Sequence, residues 1–206
     1  MSSNCEHWDK IFSDTENSKL GWWENDTSKT FELLNMIPNW MSSKIFISGV
    51  GTSNLADALL EEKATLVLND ISQEALDKLK IRLALYENRI EWLCHDISKS
   101  IEPLVPVDIW IDRAVLHFFN NEADIEGYFN NVKSMLKIDG YAIFAEFSKT
   151  GAPKCAGLPL NRYSAKELSQ RLGSSFELVN TFDHTFINPE GGERPYIYAL
   201  YKKTKI

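Results

Sequence analysis

Gly49 and Gly51 stand in ISGVGTSN, directly after the apolar run KIFIS at 44–48. Glycine allows a sharp turn and lets a ligand come close to the backbone. A helix starting just beyond would aim its free N–H groups back at the loop, a common cradle for nucleotide-like ligands. The plainer alternative is a strand-to-helix turn with no ligand. Two carboxylates extend the first reading. Asp70 ends the second apolar run, LVLND, where an acidic side chain can accept both hydroxyls of a ribose. Asp96 ends the third, in CHDIS, and with Ile97 could flank an adenine by hydrogen bond and packing. Asp70 or Ser72 could instead cap the helix SQEALDKLKIRL. Taken together, the glycines and the two acids outline one crevice for a nucleoside-containing ligand.

Other nucleotide loops fit less well. A P-loop needs Gly-Lys-Ser/Thr, which the chain lacks. A dinucleotide loop wants a third glycine where Asn54 stands, which leaves NAD as a distant alternative.

The elements that must position these residues alternate. Strand-like runs at 44–48, 65–69, 90–94, 107–111 and 140–147 are separated by helical patterns at 54–62, 72–86 and 122–137. This rhythm predicts an α/β fold: a doubly wound, Rossmann-like, mostly parallel sheet of seven strands with helices on both faces. After a Gly/Pro loop around 151–159 come a helix (164–172) and two strands (175–186 and 194–202) joined by NPEGGERP, an antiparallel C-terminal hairpin. Residues 1–40 are rich in aromatics and read as an arm with one helix near 28–37, capped by Thr27 or Ser28 and packed on a single domain spanning 41–206.

Composition narrows the partners. Lys and Arg number 22 against 29 Asp and Glu, a net charge of −7, which disfavours a nucleic-acid backbone. Cys5, Cys94 and Cys155 are dispersed and odd in number, so neither a disulfide framework nor a zinc site is expected. His7, His95 and His184 show no ligand-like spacing, and no metal is expected. No apolar leader or membrane-length run occurs. A cytoplasmic location follows as an expectation, while the oligomeric state is not legible.

The motifs HWDKIF…GWW (7–23), GVGTSNLADALL, LNDIS, CHDIS, DIWIDRAVLHFF, LKIDGYAIFAEFS and CAGLPLNRYSAKEL (155–168) cover most of the chain. They resemble class I S-adenosylmethionine-dependent methyltransferases. Within that class the chain is most similar to small bacterial-type members of undefined acceptor carrying W-D…W-W, D-R-A-V-x-H-F and G-L-P-x-x-R-Y. The resemblance implies S-adenosylmethionine as cofactor and S-adenosylhomocysteine as product. It implies Gly49 and Gly51 beside the methionine part, Asp70 with Ile71 at the ribose, and Asp96 with Ile97 at the adenine. Asp112, ending the fourth strand, would line the floor where donor meets acceptor. Two positions depart from the family pattern: Ile47 stands where an acid usually helps hold the donor's amino group, and Ser53 where a third glycine is usual.

Methyl transfer from a sulfonium mainly needs donor and acceptor held in line. A base is needed only for an acceptor that arrives protonated. Asp112 and His117 are the catalytic candidates; His117 could be that base, or a packed core histidine. Arg113 could fix an acceptor carboxylate or pair with Asp112. Trp22 and Trp23 could close over the crevice or staple the arm to the core. Arg162 and Tyr163 could shape the acceptor pocket or brace their loop. The acceptor favoured is a small molecule. GVGTS also resembles the loop of some translation-factor lysine methyltransferases, which keeps a protein acceptor as the alternative; a binding module without turnover is another.

Overall fold

The computed structural model describes residues 2–103 and 106–205. Short runs of Ile, Val, Leu and aromatics form the strands β1 (Lys44–Ser48), β2 (Thr65–Asp70), β3 (Ile90–Cys94), β4 (Val107–Arg113) and β5 (Leu136–Phe147). A two-residue pair follows, β6 (Lys154–Cys155) and β7 (Leu158–Pro159), and then the long strands β8 (Phe176–Ile187) and β9 (Glu193–Lys203). The sheet of seven strands runs β3-β2-β1-β4-β5-β9-β8. Its first five strands are parallel; β9 is antiparallel to β5 and β8 to β9. The doubly wound sheet with a C-terminal hairpin is thus as the sequence pattern implies.

The helices are α1 (Ser2–Asp14), α2 (Ser28–Leu34), α3 (Leu55–Glu61), α4 (Gln73–Arg82), α5 (Glu122–Met135) and α6 (Ala165–Leu172). Strand alternation sorts the core into two layers. Ile45, Ile47, Ile109 and Ile111 face a layer that includes Leu33 and Leu34 of α2, Leu59 of α3 and Leu79 of α4. Phe46, Trp110 and Phe144 face α5 and α6 through Phe129, Val132 and Leu168. Phe46 and Trp110 stack with ring centroids 4.2 Å apart, tying β1 to β4 in the middle of the sheet. Side chains start the helices: Ser72 accepts the N–H of Ala75, Asn121 that of Asp124, and Ser164 with Glu167 forms a capping box on α6.

Three elements differ from the sequence expectation. The arm begins with a helix that the pattern does not announce, α1, with Trp8, Ile11 and Phe12 packing together toward Ala75 of α4. Asp9 fixes it there, its Oδ1 accepting the Ser72 hydroxyl at 2.6 Å and the Glu74 N–H at 3.2 Å, where the start of α4 favours negative charge. The helix expected over 72–86 ends at Arg82 and passes into a 3-10 stretch, Ala84–Arg89. β5 begins at Leu136 rather than Gly140, because Asp139 adopts φ +64° and a bulge lets the strand continue through it.

Candidate active site

The chain leaves β1 toward β2 and β3 on one side and returns to β4 and β5 on the other, so a crevice opens at the carboxyl ends of β1 and β4. A cleft of about 310 Å³ lies there, within the range of about 300–1,000 Å³ usual for small-ligand sites. Gly49, Gly51, Asp70, Ile71, Asp96, Ile97, Arg113, His117, Trp22 and Trp23 all line it. Sequence reasoning therefore brings ten of its residues to one place.

The turn after β1 requires its glycines. Gly49 and Gly51 both sit at φ +54°. A Cβ on Gly49 would come within 2.2 Å of Val115 Cγ2, and one on Gly51 within 3.1 Å of Phe12 Cζ. Asp70 braces this turn from β2. One carboxylate oxygen accepts the Gly51 N–H at 2.7 Å and the other the Ser72 N–H at 2.8 Å. Burial pushes its pKa up to about 6, with the N–H groups of Ser72, Gly51 and Ile71 pulling the other way, so it is ionised at neutral pH. Ser72, whose side chain accepts the Ala75 N–H, is the cap of α4; Asp70 supports it through the Ser72 N–H and lines the cleft. Asp96 Oδ1 similarly accepts the N–H and hydroxyl of Ser98, and Ile97 beside it is buried.

Asp112 does not line the cleft. It pairs with Ser48 in the sheet and points into the α5/α6 layer, fully buried, accepting the N–H groups of Val115 and Leu116 and the Tyr128 hydroxyl at 2.5 Å. Its carboxyl shapes the turn after β4 instead of forming a floor for ligands. Arg113, the next strand residue, faces the opposite side and so cannot pair with Asp112. Its Nε lies 2.7 Å from Glu24 Oε2, its Nη1 donates to the Trp22 carbonyl at 3.1 Å, and its guanidinium lies over the rings of Phe186 and Tyr196. Burial holds the Glu24 carboxyl above its usual range, with the charge of Arg113 pulling the other way, and Arg113 keeps its proton.

Arg162 and Tyr163 are also outside the cleft lining. Arg162 Nη1 donates to the carbonyls of Lys149 and Gly151, which braces the loop, and Tyr163 is a buried residue whose hydroxyl accepts from Asn161. The roof comes from the N-terminal segment. Trp22 meets Trp8 and Phe12 edge-on at 5.5 and 6.1 Å, and Trp8 meets Phe118 at 5.0 Å.

Several lining groups were not singled out from sequence. Glu24 brings a carboxylate into a cleft whose β1 wall has Ile47. Ser48 Oγ and Thr52 Oγ1 are buried around the glycine turn with no partner among the described residues, and the same holds for Nε2 of His117, which the sequence did suggest. His117 is fully buried, with Nδ1 at 2.6 Å from Oε2 of Glu146 and its ring between Phe118 and Phe147. Burial lowers the His117 pKa and raises that of Glu146. A lone acid in the apolar run YAIFAEF, and an acid directly after GWW, were the available signals for Glu146 and Glu24.

Residues 48–142 match the family model described as a methyltransferase domain. No curated protein matches the sequence. Among solved structures, the chain is similar to the 1,6-didemethyltoxoflavin N1-methyltransferase of Burkholderia thailandensis, crystallised with 1,6-didemethyltoxoflavin and S-adenosylhomocysteine. Identity is 17%, coverage 98% of this chain and 85% of that one, and the TM-score 0.70. The N-methyltransferase NodS of Bradyrhizobium japonicum, in complex with S-adenosylhomocysteine, is 13% identical over 97% of this chain and all of its own, with a TM-score of 0.73. An S-adenosylmethionine-dependent methyltransferase of Anabaena variabilis is 13% identical over 97% and 93% of the two chains, with a TM-score of 0.77. The chain has the fold that these methyltransferases share, and its middle carries the methyltransferase-domain pattern.

Proposed function

We propose that the protein is an S-adenosylmethionine-dependent methyltransferase acting on a small-molecule acceptor. One observation carries the reading: the turn at Gly49 and Gly51, the braced carboxylate of Asp70, and Asp96 with Ile97 line a single cleft at the carboxyl ends of β1 to β3. The methyltransferase-domain match over 48–142 supports it. The residues suit the donor. Asp70 spends one acceptor site of each oxygen on the backbone and keeps others for ribose hydroxyls. Ile71 and Ile97 offer apolar contact for the adenine, and Asp96 an acceptor beside it. The hydroxyls of Ser48 and Thr52, without partners among the described residues, suit the polar methionine end.

When bound, S-adenosylmethionine supplies an electrophilic methyl group to the acceptor's lone pair. The protein's own part is alignment, exclusion of water and handling of a proton. Trp8, Phe12, Trp22 and Phe118 roof the cleft, which leaves room for a compact acceptor and favours a small molecule over a protein side chain. His117 Nε2, neutral and without a partner among the described residues, is the group that takes a proton from an acceptor that carries one; burial lowers its pKa to about 3, so it is a weak base suited to a proton made acidic by methyl transfer. Arg113 acts on the roof through Trp22 and Glu24 rather than on the acceptor.

Two measurements test this. A thermal-shift comparison should show stabilisation by S-adenosylmethionine and S-adenosylhomocysteine but not by NAD; absence of any shift at millimolar ligand refutes donor binding. Incubation of the protein with labelled donor and a cell lysate, followed by size fractionation, should place the label in the small-molecule fraction. Label on protein would instead support the lysine-methyltransferase alternative, and donor binding without any transfer a module lacking turnover.

A further inference from the structure

Glu146, near the carboxyl end of β5, is completely buried, and a buried carboxyl is costly unless it is hydrogen-bonded or paired. We infer that Glu146 is the positioning residue for His117, holding the imidazole as its Nδ1–H tautomer so that Nε2 keeps a free lone pair. The inference rests on the reading of His117 as the base and adds the group that makes it one.

Two contacts and one unpartnered atom support it. Glu146 Oε2 accepts the backbone N–H of His117 at 3.2 Å and lies 2.6 Å from Nδ1 of the same residue. A backbone N–H can only donate, so this oxygen is set as an acceptor, and the group that suits it at Nδ1 is a second N–H. A neutral imidazole carries a single N–H. With that proton on Nδ1, Nε2 is unprotonated, and this is the ring nitrogen for which the protein offers no partner.

The remaining carboxylate oxygen fits the same arrangement. Oε1 has no donor of its own, and the carboxyl of Asp112 lies within hydrogen-bonding reach of Glu146. Two buried carboxyls side by side hold one proton between them. A proton shared there partners both acids and leaves Oε2 to accept from His117. Burial and the neighbouring Glu146 hold the Asp112 carboxyl well above its usual range, while the hydrogen bond with Asp112 lowers Glu146, so the shared proton belongs to Asp112 and Glu146 is the acceptor. Other ionisable groups around the cluster are Arg113 on β4, Tyr163, and Tyr196 on β9. Burial and Arg113 disfavour a charged imidazole, and Asp112 alone works in the opposite direction.

The test is nitrogen NMR of histidine-labelled full-length protein, the His117 signals assigned by their loss in His117→Gln. Wild type should show Nδ1 protonated and Nε2 bare from about pH 6 to 8, where a free imidazole would titrate. Glu146→Gln, which keeps an acceptor oxygen, should retain that tautomer; Glu146→Ala should lose it in favour of Nε2–H. An Nε2–H signal in wild type overturns the inference whatever the variants do, as does an unchanged tautomer in folded Glu146→Ala. Calorimetric titration of the same wild-type sample with S-adenosylhomocysteine separates the two ideas. Absence of binding there would refute the donor reading while leaving the tautomer result to stand or fall independently.

Discussion

Replacing Asp70 by asparagine separates donor binding from loop architecture. Its two oxygens hold the Gly51 and Ser72 N–H groups at 2.7 and 2.8 Å. Asparagine keeps one acceptor oxygen and turns an NH₂ donor toward the other N–H. A hydrogen bond to a charged group contributes about 1.5–3 kcal/mol, so losing one such bond to the ribose should weaken S-adenosylhomocysteine by about 10- to 150-fold. The fold should suffer far less. The folded pKa is raised, from 3.8 to about 6, so the ionised carboxylate weakens the native state above that range, and below the unfolded value the penalty is absent. At neutral pH, removing the charge returns about 3 kcal/mol. One unsatisfied backbone N–H costs about 1–3 kcal/mol, and the two effects largely offset. Isothermal titration calorimetry should therefore report the affinity loss while the melting temperature moves by only a few degrees. Wild-type affinity in Asp70→Asn would refute the ribose contact. A collapse of the melting temperature would show instead that bracing the glycine turn is the residue's main role.

The same carboxylate should make donor affinity pH-dependent: nearly constant above about pH 6, then falling by up to tenfold per unit below it, with the slope absent in Asp70→Asn, as titrations at several pH values would show. Gly49→Ala forces a Cβ to 2.2 Å from Val115 Cγ2 at φ +54° and should destabilise the protein by about 2–4 kcal/mol in urea unfolding. Adding Val115→Ala should recover only the steric part. Glu24→Gln leaves the Arg113 guanidinium buried without its counter-charge; a loss of about 3–5 kcal/mol is expected, with limited proteolysis reporting early cleavage near residues 16–26.

The sequence disclosed the fold through local pattern. Strand runs, the paired glycines and strand-end acids are short-range signals, and each lies within a residue or two of its reading for β1 to β3. What escaped depended on side-chain direction and long-range contact. Asp112 lies one residue before the end of β4, and pleating sends it to the α5/α6 face with Trp110 and turns Arg113 the other way. Alternation from the apolar neighbours already carried that information. Glu24 and Glu146 become meaningful only when residues 89 and 29 positions away, Arg113 and His117, are brought beside them. Helix α1 was obscured by its polar composition, although Trp8 and Phe12 stand four apart, the spacing of one helical face.

The division between floor and roof has an evolutionary consequence. Residues that suit the donor belong to the ends of the parallel strands, where sheet geometry fixes them. Much of the wall over the acceptor space belongs to residues 4–24, joined to β4 through Arg113 and to α4 through Asp9. Under the proposed reading, exchange of this N-terminal segment with those two anchor points kept would change the acceptor side of the cleft and leave the donor side in place.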